Sequence, residues 1–209
     1  MLKKLDNLHE QRMKTDPGYR HRVRGDEFAE KKQYKQAAEE YRQALRHEPK
    51  DAARIHAKFG HALVSSQQPR EGLKNLEKAI EMSNGKQAWL YSAWLYKGTA
   101  HGMLGEMDAA IKALTKSISL KPTVLGHVSR ATAYAKTQRL DAALSDCETA
   151  LDMKPENTTL WSLKARIHLM ASIKAPDSGH KDKACHAMRK ACELGECRPL
   201  NEFTECKTE

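Results

Sequence analysis

The feature that most constrains this chain is a pair of small residues, twelve positions apart, that recurs along the sequence. In four segments a glycine or alanine is followed by a second one at this spacing: Gly25 and Ala37, Gly60 and Gly72, Gly98 and Ala110, Ala131 and Ala143. Two helices of an antiparallel hairpin approach closely only where both carry small side chains, so the spacing predicts repeated helical hairpins. Self-similarity of this kind is typical of solenoids, in which each repeat packs on its neighbours.

Each predicted hairpin also carries a larger residue and a stop signal. Four positions after the second small residue the chain has Tyr41, Leu76, Leu114 and Cys147, and three positions later Ala44, Ala79, Ser117 and Ala150. Pro49, Pro122 and Pro155 end three of the second helices, and Asn84-Gly85 ends the other. Proline cannot continue a helix, and glycine adopts the left-handed conformation of a helix C-cap, so both residues predict helix ends.

Two intervals depart from the regular spacing. Ala165 and Ala184 are 19 residues apart, seven more than in the other copies, and Lys174–Gly179 lie between them. We therefore expect a fifth, irregular hairpin with a seven-residue loop insertion. The step from Gly60 to Gly98 is also long, at 38 residues, which predicts a longer link or an extended helix near residues 83–87.

The segment from Trp94 to Pro122 has the order of a 34-residue helix–turn–helix repeat, with its key residues at Trp94, Gly98, Ala110, Leu114 and Pro122. The chain thus resembles the tetratricopeptide repeat (TPR) family, over repeats at about 18–51, 53–86, 91–124, 125–157 and 158–195. The resemblance implies an all-α, right-handed superhelical solenoid over 17–195, whose concave groove binds peptides or protein segments. Residues 196–209 would form a cysteine-containing tail. An N-terminal helix over 1–16, striped by Leu2, Leu5 and Leu8, would cap the solenoid or form a dimer contact.

The resemblance also implies which residues contact a partner, because the first helix of each TPR repeat lines the concave groove. Transferred by register, the contact residues are Arg22, His61, Leu95, Thr99, Val128, Thr132 and Arg166. This row is basic at both ends and apolar in the middle, which suits a segment with an apolar anchor and acidic flanks. The alternative is that these are ordinary solvated surface positions.

One specialised TPR site can be excluded at this level. TPR domains that bind the acidic C-termini of heat-shock chaperones use a clamp of Lys, Asn and Arg residues. The matching positions here hold Arg22, Asp26, Lys58, Ser92 and Tyr96, and only the first resembles the clamp.

Composition limits the class of partner and the compartment. The net charge of +9 and pI near 9.3 favour an acidic protein or peptide over nucleic acid. No run of about 18 apolar residues is present, so no membrane span is expected. Asp6 and Glu10 interrupt the region where a secretory signal needs an apolar core. The odd count of five cysteines fits a reducing compartment. Together, these three features predict a soluble, cytoplasmic protein.

Five of the ten histidines stand where other repeats have aromatic residues: His21, His56, His127, His101 and His168. They are interpreted as packing residues, buried and neutral, with lowered pKa values, so that stability should fall as the pH drops through about 6.5. The basic cluster Arg20, His21, Arg22 and Arg24 is interpreted as a solvated helix face or one end of the groove.

The tail cysteines Cys185, Cys192, Cys197 and Cys206 have no CxxC pair and fit no compact zinc module. They are interpreted as buried thiols, with zinc or a disulfide as the alternatives.

No phosphate-binding glycine loop, nucleophile elbow or HExxH motif is present, so we predict no enzyme, no cofactor and no metal. The leading hypothesis is a non-catalytic adaptor, scaffold or chaperone-like module that binds a protein segment. The alternatives are a dedicated chaperone for a secreted or assembling partner and a nucleic-acid-associated basic solenoid.

Overall fold

Successive helices of similar length follow one another in the order that the small-residue spacing predicts. The computed structural model describes residues 2–85, 87–198 and 206. Within these residues it contains eleven α-helices: α1 Leu2–Thr15, α2 Pro17–Glu30, α3 Tyr34–Leu45, α4 Ala52–Ser65, α5 Pro69–Glu81, α6 Leu90–Met103, α7 Met107–Leu120, α8 Val124–Lys136, α9 Leu140–Met153, α10 Thr158–Lys174 and α11 His180–Glu193. From α2 onward, consecutive helices pack in pairs as hairpins, which confirms the predicted all-α repeat fold.

The chain forms two compact units, an N-terminal unit of residues 1–120 and a C-terminal unit of residues 121–209. Local signals set the helix ends in both units. Asp16 accepts a hydrogen bond from the Tyr19 amide at 2.8 Å, and Thr123 caps α8 in the same way through the Gly126 amide at 3.1 Å. Gly105, with a φ of +83°, turns the chain after α6.

The glycines at the helix crossings leave no room for a side chain. A Cβ on Gly98 would lie 2.5 Å from Cγ of Leu114, and one on Gly60 would lie 2.6 Å from Cγ of Leu76. These contacts are shorter than van der Waals distance, so the larger residue of each hairpin fills the space that its glycine leaves. Where the first small residue is Ala131, the residue sixteen positions later is the smaller Cys147.

A polar contact inside the hairpin recurs in three of the repeats. His21 Nδ1 lies 2.7 Å from a carboxylate oxygen of Glu40, His56 Nδ1 lies 2.9 Å from Oδ1 of Asn75, and His127 Nδ1 lies 2.9 Å from Oδ1 of Asp146. The partner is always nineteen residues after the histidine. These three contacts join the first helix of a repeat to its second.

The histidine prediction is therefore correct in part. His56, His127 and His168 are buried as expected, and burial lowers the pKa of His56 and of His168. His21, His101 and His127, however, each face a carboxylate. For these three, a carboxylate contributes to the environment in addition to burial. The repeat position that each histidine shares with aromatic residues gave no sign of this carboxylate.

The two irregular intervals are accommodated differently. α10 runs nine residues past Ala165, whereas the first helices of the other repeats run five residues past their small residue. The insertion is thus shared between a longer helix and the loop with its 3₁₀ turn at Pro176–Ser178. The other surplus lies in the link between α5 and α6, since α6 has 14 residues like α2 and α4.

The interpretation of the tail cysteines as thiols is wrong. Cys185 is bonded to Cys206 and Cys192 to Cys197, with Cα atoms 5.1 and 4.0 Å apart. Gly195, with a φ of +99°, reverses the chain just after α11 and brings the second pair together. Cys147 is the free cysteine, and its burial raises the pKa of its thiol to about 12. The rest of the predicted tail, 199–205 and 207–209, lies outside the described residues.

The predicted N-terminal stripe is described only in part. The side chains of Leu2 and Leu5 lie outside the described residues, and Leu8 is 52% exposed. α1 is joined to α2 by Arg20, whose guanidinium donates to the carbonyl oxygens of Met13 and Lys14 at 2.9 and 3.2 Å. None of the described helices is long and apolar enough to cross a membrane.

Candidate functional site

In the N-terminal unit, the residues transferred from the resemblance lie on α2, α4 and α6 and differ in accessibility. Arg22, His61 and Thr99 are half-buried, and the Thr99 hydroxyl donates to the Leu95 carbonyl oxygen at 3.1 Å. Leu95 is only 4% exposed. Its side chain offers almost no surface to a partner, because α6 turns this residue toward the core.

In the C-terminal unit, the corresponding residues lie on α8 and α10. Thr132 is half-buried, and its hydroxyl donates to the Val128 carbonyl oxygen at 2.8 Å. Val128 itself packs against the buried residues around Ala131 and Leu160, while Arg166 is exposed.

An ion network joins the first helices of repeats 1 and 2. Asp26 accepts hydrogen bonds from Lys58 Nζ at 2.6 Å, from the Tyr41 hydroxyl at 2.8 Å and from Arg22 Nη1 at 3.2 Å. Burial and then the Asp26 carboxylate raise the pKa of Tyr41, so this phenol stays protonated and donates. The negative charge of Asp26 is therefore balanced by Arg22 and Lys58 within the protein. Neither of these two cations is isolated.

An aromatic cluster of Tyr34, His61 and Tyr96 lies beside this network in the N-terminal unit. The His61 ring stacks on the Tyr96 ring with centroids 3.8 Å apart, and Tyr34 approaches His61 at 5.5 Å with its ring tilted by 54°. Burial lowers the pKa of His61 to about 4, so the imidazole is neutral at pH 7. The sequence placed His61 in the groove and Tyr96 at a position that matches the clamp, but it gave no signal for Tyr34, which belongs to another repeat, or for the contact among the three.

The basic cluster of the sequence is largely engaged inside the protein. Arg24 and His21 both contact Glu40, at 3.0 and 2.7 Å, and Arg20 binds the end of α1. These side chains already have acceptors, so the cluster is not a free basic surface of the kind that binds a phosphate backbone.

A cleft of about 800 Å³ opens between α9, α10 and α11 in the C-terminal unit. Two histidines meet in it, with Nδ1 of His168 and Nδ1 of His180 2.9 Å apart. His168 is 5% exposed, and its pKa is lowered to about 4, chiefly by this burial. The nearby His180, Lys164 and Lys183 contribute to the lowering of the pKa, and Glu148 has a smaller, opposite effect. Among the described residues, no group of three or more potential ligands could hold a metal ion.

The His168 environment makes stability depend on pH. Its folded pKa of about 4 lies below the unfolded value near 6.5, so its contribution is complete above about pH 6.5 and is lost as the pH falls toward 4. We expect wild type to lose about 2 kcal/mol more unfolding free energy between pH 7 and pH 5 than His168→Gln does. Urea denaturation of both proteins at the two pH values measures this difference, and equal losses would contradict it.

Comparison with known proteins identifies the repeat. Family models described as tetratricopeptide repeat match residues 58–123 and 127–157. The chain is a tetratricopeptide repeat protein. Sperm-associated antigen 1 of Mus musculus is 28% identical over 136 residues, which are 64% of this chain and 14% of that protein. Hsc70-interacting protein 1 of Drosophila melanogaster is 29% identical over 122 residues, 58% of this chain and 28% of that protein. The chain thus spans less than a third of the length of these relatives.

Among solved structures, YrrB, described as a TPR protein with an unusual peptide-binding site, superposes with a TM-score of 0.69. The match covers 94% of this chain and 97% of that one at 16% identity. At this identity the likeness concerns the fold, and it agrees with the helical hairpins described above.

Proposed function

We propose that this TPR protein is a non-catalytic interaction module that binds a peptide or protein segment on the first helices of its repeats. The observation that carries the proposal is the row of half-buried polar and aromatic side chains on α2, α4 and α6, from Arg22 through His61 to Tyr96 and Thr99. Partly covered side chains on successive helices offer a ready-made surface for an extended segment. YrrB is described as having an unusual peptide-binding site, and the Hsc70-interacting protein is named for a protein partner, which supports the same class of function.

The proposed contacts are those that retain accessible surface. They are Arg22, His61 and Thr99 in the N-terminal unit and Val128, Thr132 and Arg166 in the C-terminal unit. Leu95 is left out because it is buried. The net charge of +9 favours a segment that carries acidic residues. We also propose that α1 covers the exposed end of the first repeat, as terminal repeats require.

The test is affinity capture with matched threonine variants. Thr99→Glu and Thr132→Glu, made separately, each place a charge on the proposed surface of one unit, whereas Thr149→Glu places one on the second helix α9, where the hydroxyl makes the same type of bond to Ser145 O. We expect wild type and Thr149→Glu to retain the same partner from native lysate and at least one of the other two variants to lose about tenfold or more of it. Equal retention by all four proteins, with unchanged circular dichroism, contradicts the proposed surface.

The proposal also includes the compartment in which the protein folds. Four of the five cysteines are paired and Cys147 is buried, which favours an oxidising compartment over the cytoplasm that the cysteine count suggested. When cells are lysed directly into denaturant that contains the alkylating reagent, we expect one alkylated thiol per chain. Five alkylated thiols, measured by mass spectrometry, would instead support the cytoplasm.

A further inference from the structure

Among the residues that the structure describes, the polar atoms of the aromatic cluster have no hydrogen-bond partner. The hydroxyls of Tyr34 and Tyr96 and both ring nitrogens of His61 make no hydrogen bond with any residue within 2–85, 87–198 or 206. All three side chains are half-buried, and none of these polar atoms is among the fully buried ones, so each can be reached by water or by a ligand. Polar groups in such positions usually find a partner, and here that partner must come from water or a ligand.

The ring arrangement limits the shape of that ligand. His61 and Tyr96 are nearly parallel, with planes 21° apart, so their adjoining faces cover each other. Tyr34 is inclined to His61 by 54° and forms a corner with it. A compact ring fits such a corner better than a long flexible side chain, because it loses little conformational entropy on burial.

The charge of the cluster limits the chemistry further. The phenols and the neutral imidazole supply hydrogen-bond donors without a positive charge. Lys58, one turn before His61 on α4, is engaged by Asp26 at 2.6 Å. A carboxylate placed among these rings would be desolvated without a counter-charge, which is unfavourable. An uncharged acceptor such as a peptide carbonyl has no such cost.

We propose that the Tyr34–His61–Tyr96 cluster anchors a proline-containing segment in the polyproline II conformation. This inference rests on the proposed function and specifies its anchor. Proline supplies a compact ring and a carbonyl acceptor, and it has no N–H group that would need a partner on this donor-rich surface. The polyproline II backbone has no internal hydrogen bonds, so its carbonyls are free to accept from tyrosine and histidine. Acidic residues would flank the anchor and not enter it.

A random dodecapeptide display library, selected on the full chain, tests the anchor. We compare wild type with Tyr34→Phe/Tyr96→Phe, which keeps the rings and removes both hydroxyls. The control is Tyr134→Phe, the same change on α8 of the C-terminal unit. Wild type and the control should enrich peptides with a central proline, and the double variant should bind a selected peptide about tenfold more weakly.

A spectroscopic measurement covers the case in which the double variant does not fold. The Cε1–H signal of His61, assigned by its loss in His61→Gln, should shift when a selected peptide is added to wild type. Peptides enriched without proline, equal affinity for a folded double variant, or an unchanged His61 signal overturn the anchor and leave the proposed function standing. No enrichment above the bare support overturns both.

Discussion

Asp146→Ala is expected to lower the free energy of unfolding by about 3–5 kcal/mol. The Asp146 side chain is 6% exposed, and its two oxygens accept from Nε and Nη2 of Arg130 at 2.8 Å each and from Nδ1 of His127 at 2.9 Å. Alanine removes an acceptor that the half-buried Arg130 guanidinium shares with the buried His127 imidazole. The loss of a buried carboxylate that binds three N–H donors accounts for the large effect. Urea denaturation followed by circular dichroism measures it.

Two further substitutions on α9 make this result specific. Asp152→Ala removes an exposed carboxylate from the same helix and should change stability by less than about 0.5 kcal/mol. Asp146→Asn should fall between the two, because Asn75 serves His56 in the corresponding place of repeat 2. If Asp146→Ala costs no more than Asp152→Ala, the network does not stabilise the C-terminal unit.

Gly98→Ala is expected to destabilise the N-terminal unit by about 2–3 kcal/mol, although alanine is the better helix former. The added methyl carbon would lie 2.5 Å from Cγ of Leu114 and 3.1 Å from the carbonyl oxygen of Ala110. Leu114 is 1% exposed and cannot swing into solvent. Relief therefore requires α6 and α7 to separate, which weakens packing along the whole hairpin. The change in urea midpoint at constant slope measures this effect.

The same helix offers the matched control. A Cβ on Gly102 would meet nothing within 4 Å, so Gly102→Ala should stabilise the protein by about 0.5–1 kcal/mol. In the C-terminal unit the equivalent of the Gly98–Leu114 pair is Ala131 with Cys147. Leu114→Cys should therefore offset part of the cost of Gly98→Ala, with a coupling of about 1 kcal/mol or more. Additive effects in this double-mutant cycle would show that the two side chains do not compete for space.

Much of the fold could be predicted because its determinants are local in the sequence. The twelve-residue spacing of small residues, the larger residue four positions later and the proline stops each act within one hairpin. The histidine contacts were also within reach, since Glu40, Asn75 and Asp146 each follow a histidine by nineteen residues. Comparing polar positions between the two helices of a repeat would have found these contacts before the structure was known.

The candidate site was less predictable, because it depends on how neighbouring repeats are rotated. Register placed Leu95 beside Thr99 on one face of α6, but the packing of α6 on the core buries Leu95. Tyr34, His61 and Tyr96 come from three repeats and are 27 and 35 residues apart. No local pattern relates these three positions. The disulfides were missed for a similar reason, since spacing alone does not show which sulfur atoms meet.

The sequence by itself determined that this chain folds into TPR hairpins, because small residues at the crossings and stop signals at the ends restrict each hairpin through local sterics. Only the tertiary structure decided which side chains remain accessible and that Tyr34, His61 and Tyr96 form one cluster. These outcomes depend on contacts between helices that are distant in the chain. The packing of whole helices fixes such contacts, and the spacing of individual residues does not specify that packing.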